Sequence, residues 1–387
     1  MPDPLRTARG LPSATLGWMF LFCFVLSPSA TSQESAAEPR RSLRAHPMLV
    51  LGLDENLTAG ISMGDVDGDG DLDIAVGNGR HWAQQNFVFL NSGNGFHGLA
   101  RPLGQERDTT YAVPMADLDG DGDLDVAVGN DSVRSLVYLN DGTGRFAAGA
   151  TFGPADMNTR SVSLADIDLD GDVDILVTNR GDQNWIALNA GDATFQETVA
   201  FGTGDDSTLS VAIADFNGDG RPDLALGNRD GDPNQVLRNT AQGFENWSSF
   251  GTGSDDTRSV VAADLDGDGH LDLAAANLGE RCRIYWGTGD GRFEQSTPFG
   301  REGVNASFLR AADMDRDGKV DLVVAYRGAS NAVFFNRGQR RGFEELPFGV
   351  EDADTYSLAI GDLDGDGFPD VATANSGEVN AIYLNRP

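Results

Sequence analysis

Apolar and polar positions alternate with a period of two in segment after segment, as in SVSLAD (161–166) and SVAIAD (210–215). That period belongs to strands with one buried face. Four such segments recur as a unit. The first is the alternating run just quoted. The second is shorter and more continuously apolar, as in DIAVGN (73–78), DVAVGN (125–130) and DLALGN (223–228). The third is aromatic or aliphatic and ends in Asn: FVFLN (87–91), LVYLN (136–140), AVFFN (332–336) and AIYLN (381–385). The fourth opens on a Gly-rich turn and a Phe (Phe96, Phe146, Phe195, Phe244, Phe293, Phe343). It closes on Leu-Gly or Phe-Gly, from Leu103-Gly104 to Phe348-Gly349.

Between the first and second segments stands an acidic nonapeptide, DVDGDGDLD at 65–73. It returns as DLDGDGDLD (117–125), DIDLDGDVD (166–174), DFNGDGRPD (215–223), DLDGDGHLD (264–272), DMDRDGKVD (313–321) and DLDGDGFPD (362–370). The starts lie 52 residues apart once and 49 residues apart five times. Seven four-strand units at this period predict an all-β fold, a seven-bladed β-propeller of four-stranded blades. In the first strands one face carries larger groups (Ile61/Met63, Val162/Leu164, Leu358/Ile360). The other is small (Gly60/Ser62/Gly64, Ser161/Ser163/Ala165). Large against small suits wedges that converge on an axis.

The seventh unit stops at Leu384-Asn385-Arg386-Pro387 without a fourth strand, while PMLVLG (47–52) ends like a fourth strand and has no blade of its own. Residues 46–52 are therefore expected to complete the last blade, three strands plus one, in a propeller spanning 46–387. Such pairing covers an otherwise open sheet edge.

The nonapeptides carry the chemistry. Their first, third, fifth and ninth positions are Asp65, Asp67, Asp69 and Asp73; Asp117, Asp119, Asp121 and Asp125; Asp166, Asp168, Asp170 and Asp174; Asp215, Asn217, Asp219 and Asp223; Asp264, Asp266, Asp268 and Asp272; Asp313, Asp315, Asp317 and Asp321; and Asp362, Asp364, Asp366 and Asp370. So many like charges in one turn repel unless a cation sits among them. The sixth position is Gly in every copy, where the backbone must bend sharply. The seventh reads Asp71, Asp123, Asp172, Arg221, His270, Lys319 and Phe368. A position that accepts acid, base and aromatic offers its backbone carbonyl, as in other calcium loops. One structural Ca2+ per blade, up to seven, is the expected cofactor. A solvated acidic turn would explain one copy but not seven alike.

The net charge of −32 falls to −18 if seven divalent ions bind (7 × 2 = 14). Either value disfavours nucleic acid and anionic membrane surfaces as partners. Residues 1–32 read as a secretory signal: Arg6 and Arg9, then the apolar run LGWMFLFCFVL (16–26), then small residues. The run is too short to span a bilayer. Residues 33–45 read as a polar linker. The expected location is secreted, periplasmic or at the cell surface, with no membrane insertion once the signal is removed. Beyond the signal one thiol remains, Cys282, so no intrachain disulfide is available, and its repeat position holds Asn in five other repeats (Asn86, Asn184, Asn234, Asn331, Asn380), which marks it as a substituted turn residue.

The Phe-Gly strand ends and DxDGDGxxD loops resemble the FG-GAP and VCBS repeat families, found in secreted bacterial proteins and in the propeller of integrin α subunits. The resemblance covers residues 46–387. It implies a calcium-stabilised propeller that serves adhesion or ligand recognition, with the loop positions above as calcium ligands. The Gly-Ala-Pro element of the family's name is missing after the Phe-Gly, where acidic and Thr-rich turns stand instead.

On the face opposite the acidic loops, the residues leading into the first strands (Tyr111, Arg160, Leu209, Arg258, Tyr356) should ring the central mouth. The second-to-third loops add Arg80, Trp82, Arg180, Arg229 and Arg327. Arginines beside aromatics suit a carboxylated sugar or an acidic peptide. The plain alternative is that these arginines pair with Asp182, Asp230 and Asp256. Two motifs fail on context: GISMG (60–64) lies in a strand rather than on a strand–turn–helix elbow, and Arg180-Gly181-Asp182 is a chance tripeptide in a Gly- and Asp-rich chain. The expected function is an extracellular calcium-binding module for a carbohydrate or protein. The alternative is a calcium-dependent polysaccharide lyase using Tyr111, Tyr356, Arg160 or Arg258.

Overall fold

The computed structural model describes residues 41–338 and 340–387. The expected signal at 1–32 and most of the linker lie outside the described residues. Within them, seven antiparallel sheets are set around one axis, six of them running from an innermost to an outermost strand in chain order and the last taking its outermost strand from the start of the described residues. In the first blade these strands are Thr58–Gly64, Asp73–Asn78, Gln84–Leu90 and Leu99–Asp108. The second strand of every blade is the most buried, as in Asp174–Asn179 and Asp272–Asn277. That is why these segments read as apolar on both faces.

One blade departs from the pattern. The innermost strand of blade two is split into Thr110–Ala112 and Met115–Ala116. The break falls at Val113-Pro114, where proline removes a ladder N–H. Its carbonyl still accepts from Ala127 N at 3.0 Å, so the sheet continues around the gap.

Closure is three plus one. The strand Ser42–Leu51 pairs antiparallel with Asn380–Arg386, Ser42 opposite Arg386 and Leu51 opposite Asn380, with a bulge between Ala45 and Val50. It begins four residues earlier than the 46–52 segment expected to fill this place. Seven apolar clusters fill the seven inter-blade interfaces. The one joining last blade to first contains Leu49, Leu51, Ile61, Phe89, Leu363 and Ile382.

Two rings of buried hydrogen bonds reinforce these interfaces. Near the acidic loops, the Asn ending a third strand reaches the preceding blade: Asn140 Nδ2 donates to the Val66 carbonyl at 2.8 Å, and Asn91 Nδ2 to Leu363 at 2.9 Å across the closure. At the opposite end, the Asn opening a third strand reaches the next blade's Thr, as Asn184 Nδ2 to Thr208 Oγ1 at 2.9 Å and Asn380 Nδ2 to Thr58 Oγ1 at 3.0 Å. Cys282 takes one of these Asn places and is buried, as its repeat position implies. Burial pushes its thiol up to about 12, far from a nucleophile's range.

Candidate metal loops and ligand-binding mouth

The innermost strands link two candidate sites. Each begins at the mouth of the axial channel and ends, about seven residues or roughly 20 Å away, in an acidic loop.

Every loop folds in the same way. The first carboxylate accepts from backbone N–H groups within the turn: Asp65 Oδ1 from Gly68 N at 2.8 Å and Oδ2 from Gly70 N at 3.0 Å. The sixth-position Gly has φ between 82° and 102° in all seven copies. The fourth position is less demanding, holding Leu169 at φ 67° and Arg316 at φ 61°.

The ninth carboxylate does more than its expected part in closing the loop. Asp73 accepts from Val66 N at 2.9 Å and from Asn91 N at 2.7 Å, tying the loop to the end of the third strand. Asp321 repeats this with Met314 and Asn336. Burial raises these carboxyls, Asp73 to about 6 and Asp321 to about 7; the backbone donors lower them, and neighbouring aspartates raise them further.

The donor set fits a hard cation. In at least five loops the first, third and ninth positions (Asp65, Asp67 and Asp73 in the first) bring one oxygen each within 4.8 Å of one another. Asp67 Oδ1 is buried without a hydrogen-bond partner among the described residues. These clusters are able to hold metal ions. In the later loops a side-chain cation already touches an aspartate. Arg340 Nε meets Asp266 at 2.6 Å, Lys319 contacts Asp317, and Arg386 contacts both Asp364 and Asp366.

The other end of the channel opens into a cavity of about 370 Å³. Its walls bring together Arg80, Tyr111, Arg160, Arg180, Leu209, Arg229, Arg258, Arg327 and Tyr356, as placed from the sequence, with His81. Trp82, expected beside them, is absent from the wall and is 74% exposed. Seven of the chain's 28 Lys and Arg residues line this cavity and no Asp or Glu does. In a molecule of net charge −32 that is a sharply localised positive potential.

Acids flank the wall from behind. Arg160 pairs with Asp131 at 3.0 Å, Arg180 and Arg229 share Asp230 at 2.7 and 3.0 Å, and Arg327 meets Asp354 at 2.8 Å. Asp230 and Asp256 act as anticipated, Asp256 4.0 Å from Arg229, whereas Asp182 bonds Asn158 instead. Tyr356 sits beneath Arg80 and Arg327, whose guanidinium carbons lie 4.1 and 4.8 Å from its ring centre. Arg160 covers Tyr111 at 4.6 Å. Burial raises both phenols above their ordinary range despite these cations.

Two features escaped the sequence reading. The extra three residues of the first repeat fall in its second-to-third loop: Asn78 and Asn86 are eight apart, against five for Asn179 and Asn184. The longer loop carries His81 to the cavity wall, beside the Arg80 already expected there. The second feature is Arg310, which points into the channel and was legible only as a charged residue in an otherwise small or apolar strand position.

Among solved structures, two crystal structures of BBS1N in complex with ARL6DN share the fold. The one soaked with lead has a TM-score of 0.58 and 13% identity, covering 89% of this chain and 97% of its own. The one soaked with mercury has a TM-score of 0.60 and 11% identity, covering 87% and 96%. No curated protein matches the chain. The FG-GAP-like repeat matches at residues 65–128, 117–177, 166–226, 215–275, 264–324 and 313–373. These six tandem matches run unbroken from the first acidic loop into the last blade, and the chain belongs to the FG-GAP-like repeat family.

Proposed function

We propose that the protein is an exported binding module, stabilised by calcium in its acidic loops, that takes a negatively charged carbohydrate or protein at its central mouth. The observation that carries this reading is the cavity wall of seven arginines without a carboxylate. Planar guanidiniums match carboxylate and sulfate groups. Export rests on the signal-like residues 1–32. BBS1N, crystallised with ARL6DN, gives this fold a precedent for a protein partner. A lyase would need an activated base, and burial moves Tyr111 and Tyr356 the wrong way for that.

Binding is tested at low salt against a panel of uronate-bearing and sulfated polysaccharides, acidic peptides and neutral glycans. Acidic ligands should bind, and the Arg160→Ala/Arg258→Ala variant should weaken them at least tenfold. Equal binding of neutral and acidic ligands, or an unaffected double variant, would defeat the reading. Calcium is tested separately. Chelated protein should melt lower and recover with calcium at about 10⁻⁴–10⁻³ M, the range of extracellular modules. An unchanged melting temperature would remove calcium from the proposal.

A further inference from the structure

Three residues before each acidic loop, the innermost strands place Ser62, Pro114, Ser163, Ala212, Val261, Arg310 and Ala359. The matching register confirms the equivalence: Ser62 lies opposite Ala75 and Arg310 opposite Val323, each two residues before a strand end. Six blades thus put a small or apolar group at this level of the channel, and one puts a guanidinium there. Arg258, on the neighbouring blade, lines the same cavity nearer the mouth.

These two arginines differ from the rim. The rim guanidiniums of Arg160, Arg180, Arg229 and Arg327 each have a carboxylate. Arg258 and Arg310 have neither an ion pair nor a hydrogen bond among the described residues. Their neighbours are rings: Tyr356 at 5.9 Å from Arg258 and Phe308 at 4.5 Å from Arg310. Arg258 is half-buried and Arg310 is exposed to the lumen, so both face the cavity. Neither has a counter-charge there, and an incoming anion would supply one.

We infer that Arg310 and Arg258 form an oxyanion subsite inside the channel, below the rim, which takes one sulfate, phosphate or carboxylate group at the end of the ligand. This deepens the mouth reading and rests on it: the ligand enters end-on along the axis instead of lying across the face. The rim, four of whose arginines also contact acids behind the wall, gives orientation, and the deep pair gives selection for a charged terminus. The cavity's volume of about 370 Å³ admits one such terminal unit.

The test uses inorganic sulfate, inorganic phosphate and acetate as separate probes, with chloride at matched ionic strength as control, and reads melting temperature and calorimetric binding. The wild-type protein should be stabilised by at least one of the three oxyanions beyond chloride, and the ranking identifies the group. Arg310→Gln should lose that stabilisation and at least tenfold in affinity. Without oxyanion, Arg310→Gln should melt no lower than wild type, because no ion pair or hydrogen bond of the fold is lost. A lower melting point would show Arg310 to be structural and overturn the inference. So would oxyanions acting no better than chloride, or acting equally on the variant. If acidic polymers bind while small oxyanions and Arg310→Gln have no effect, the subsite fails and the mouth reading stands. If oxyanions protect in an Arg310-dependent way and no polymer binds, the subsite stands and the polymer reading fails.

Discussion

The loop glycines show how a dihedral angle becomes a sequence pattern. The left-handed well open to ordinary residues lies near φ 50–70°, and the fourth loop position falls in or just beyond it, which is how Leu169 and Arg316 are accommodated at 67° and 61°. The sixth position, at 82–102°, lies outside that well, and only Gly occupies it. The invariance of one position and the laxity of its neighbour therefore have the same cause, read at two distances from the well. A left-handed L-residue still costs about 1–2 kcal/mol, offset in part by the entropy that Gly loses on folding. Leu169→Gly is therefore expected to stabilise the protein by roughly 0.5–1 kcal/mol, the more readily because Leu169 is exposed. Gly171→Ala, at φ 102°, should destabilise by about 1–3 kcal/mol. Urea unfolding of the two variants checks both signs, and a stabilising Gly171→Ala would contradict the account.

Among elements, the strand-end asparagines hold neighbouring blades in register. Their regular recurrence reveals a backbone role in the sequence, but not the carbonyl each one meets, since that acceptor lies some seventy residues away in the preceding repeat. Asn140 shows the arrangement, donating to Val66 in one blade and to Leu124 in its own, while its backbone N–H meets Asp125. Blade five lacks the side chain: Gly287 stands in its place because a Cβ there would lie 2.0 Å from the Leu271 carbonyl oxygen. Gly291 N supplies the lost link, donating to the Phe216 carbonyl at 3.1 Å. Replacing Asn140 with Ala leaves two carbonyls short of a donor in a buried setting, and a loss of about 1–3 kcal/mol is expected. Chemical denaturation measures it; a change below about 0.5 kcal/mol would mean that water substitutes and that the ring of amides is dispensable.

For the whole molecule, the number of blades and the manner of closure were legible because each follows from counting: seven acidic loops, a last unit one strand short, and an unmatched Leu-Gly strand at the other end. The rim of the mouth was legible too, since repeat position fixes which residues begin each innermost strand. The start of the closing strand at Ser42 was not, because the alternation of SLRAH is only five residues long and continues a charged, polar segment. It is defined only by pairing with Asn380–Arg386. Nor was the Trp82 orientation, which depends on a loop length unique to the first blade. Closure itself is open to experiment. Leu49 and Leu51 are buried between the last and first blades, and at an edge strand their truncation should cost about 2 kcal/mol each, the low end for buried leucines. The Leu49→Ala/Leu51→Ala variant should therefore loosen the edge before the rest. In hydrogen exchange, amides of Asn380–Arg386 should lose protection while those of Asn331–Asn336, the equivalent strand one blade back, keep it. The exposed edge also invites pairing between molecules, so the variant should form dimers or larger species as concentration rises. If both strands exchange alike and the variant stays monodisperse, the closing strand is an ornament of the last blade and the ring is held by the inter-blade amides and apolar clusters alone.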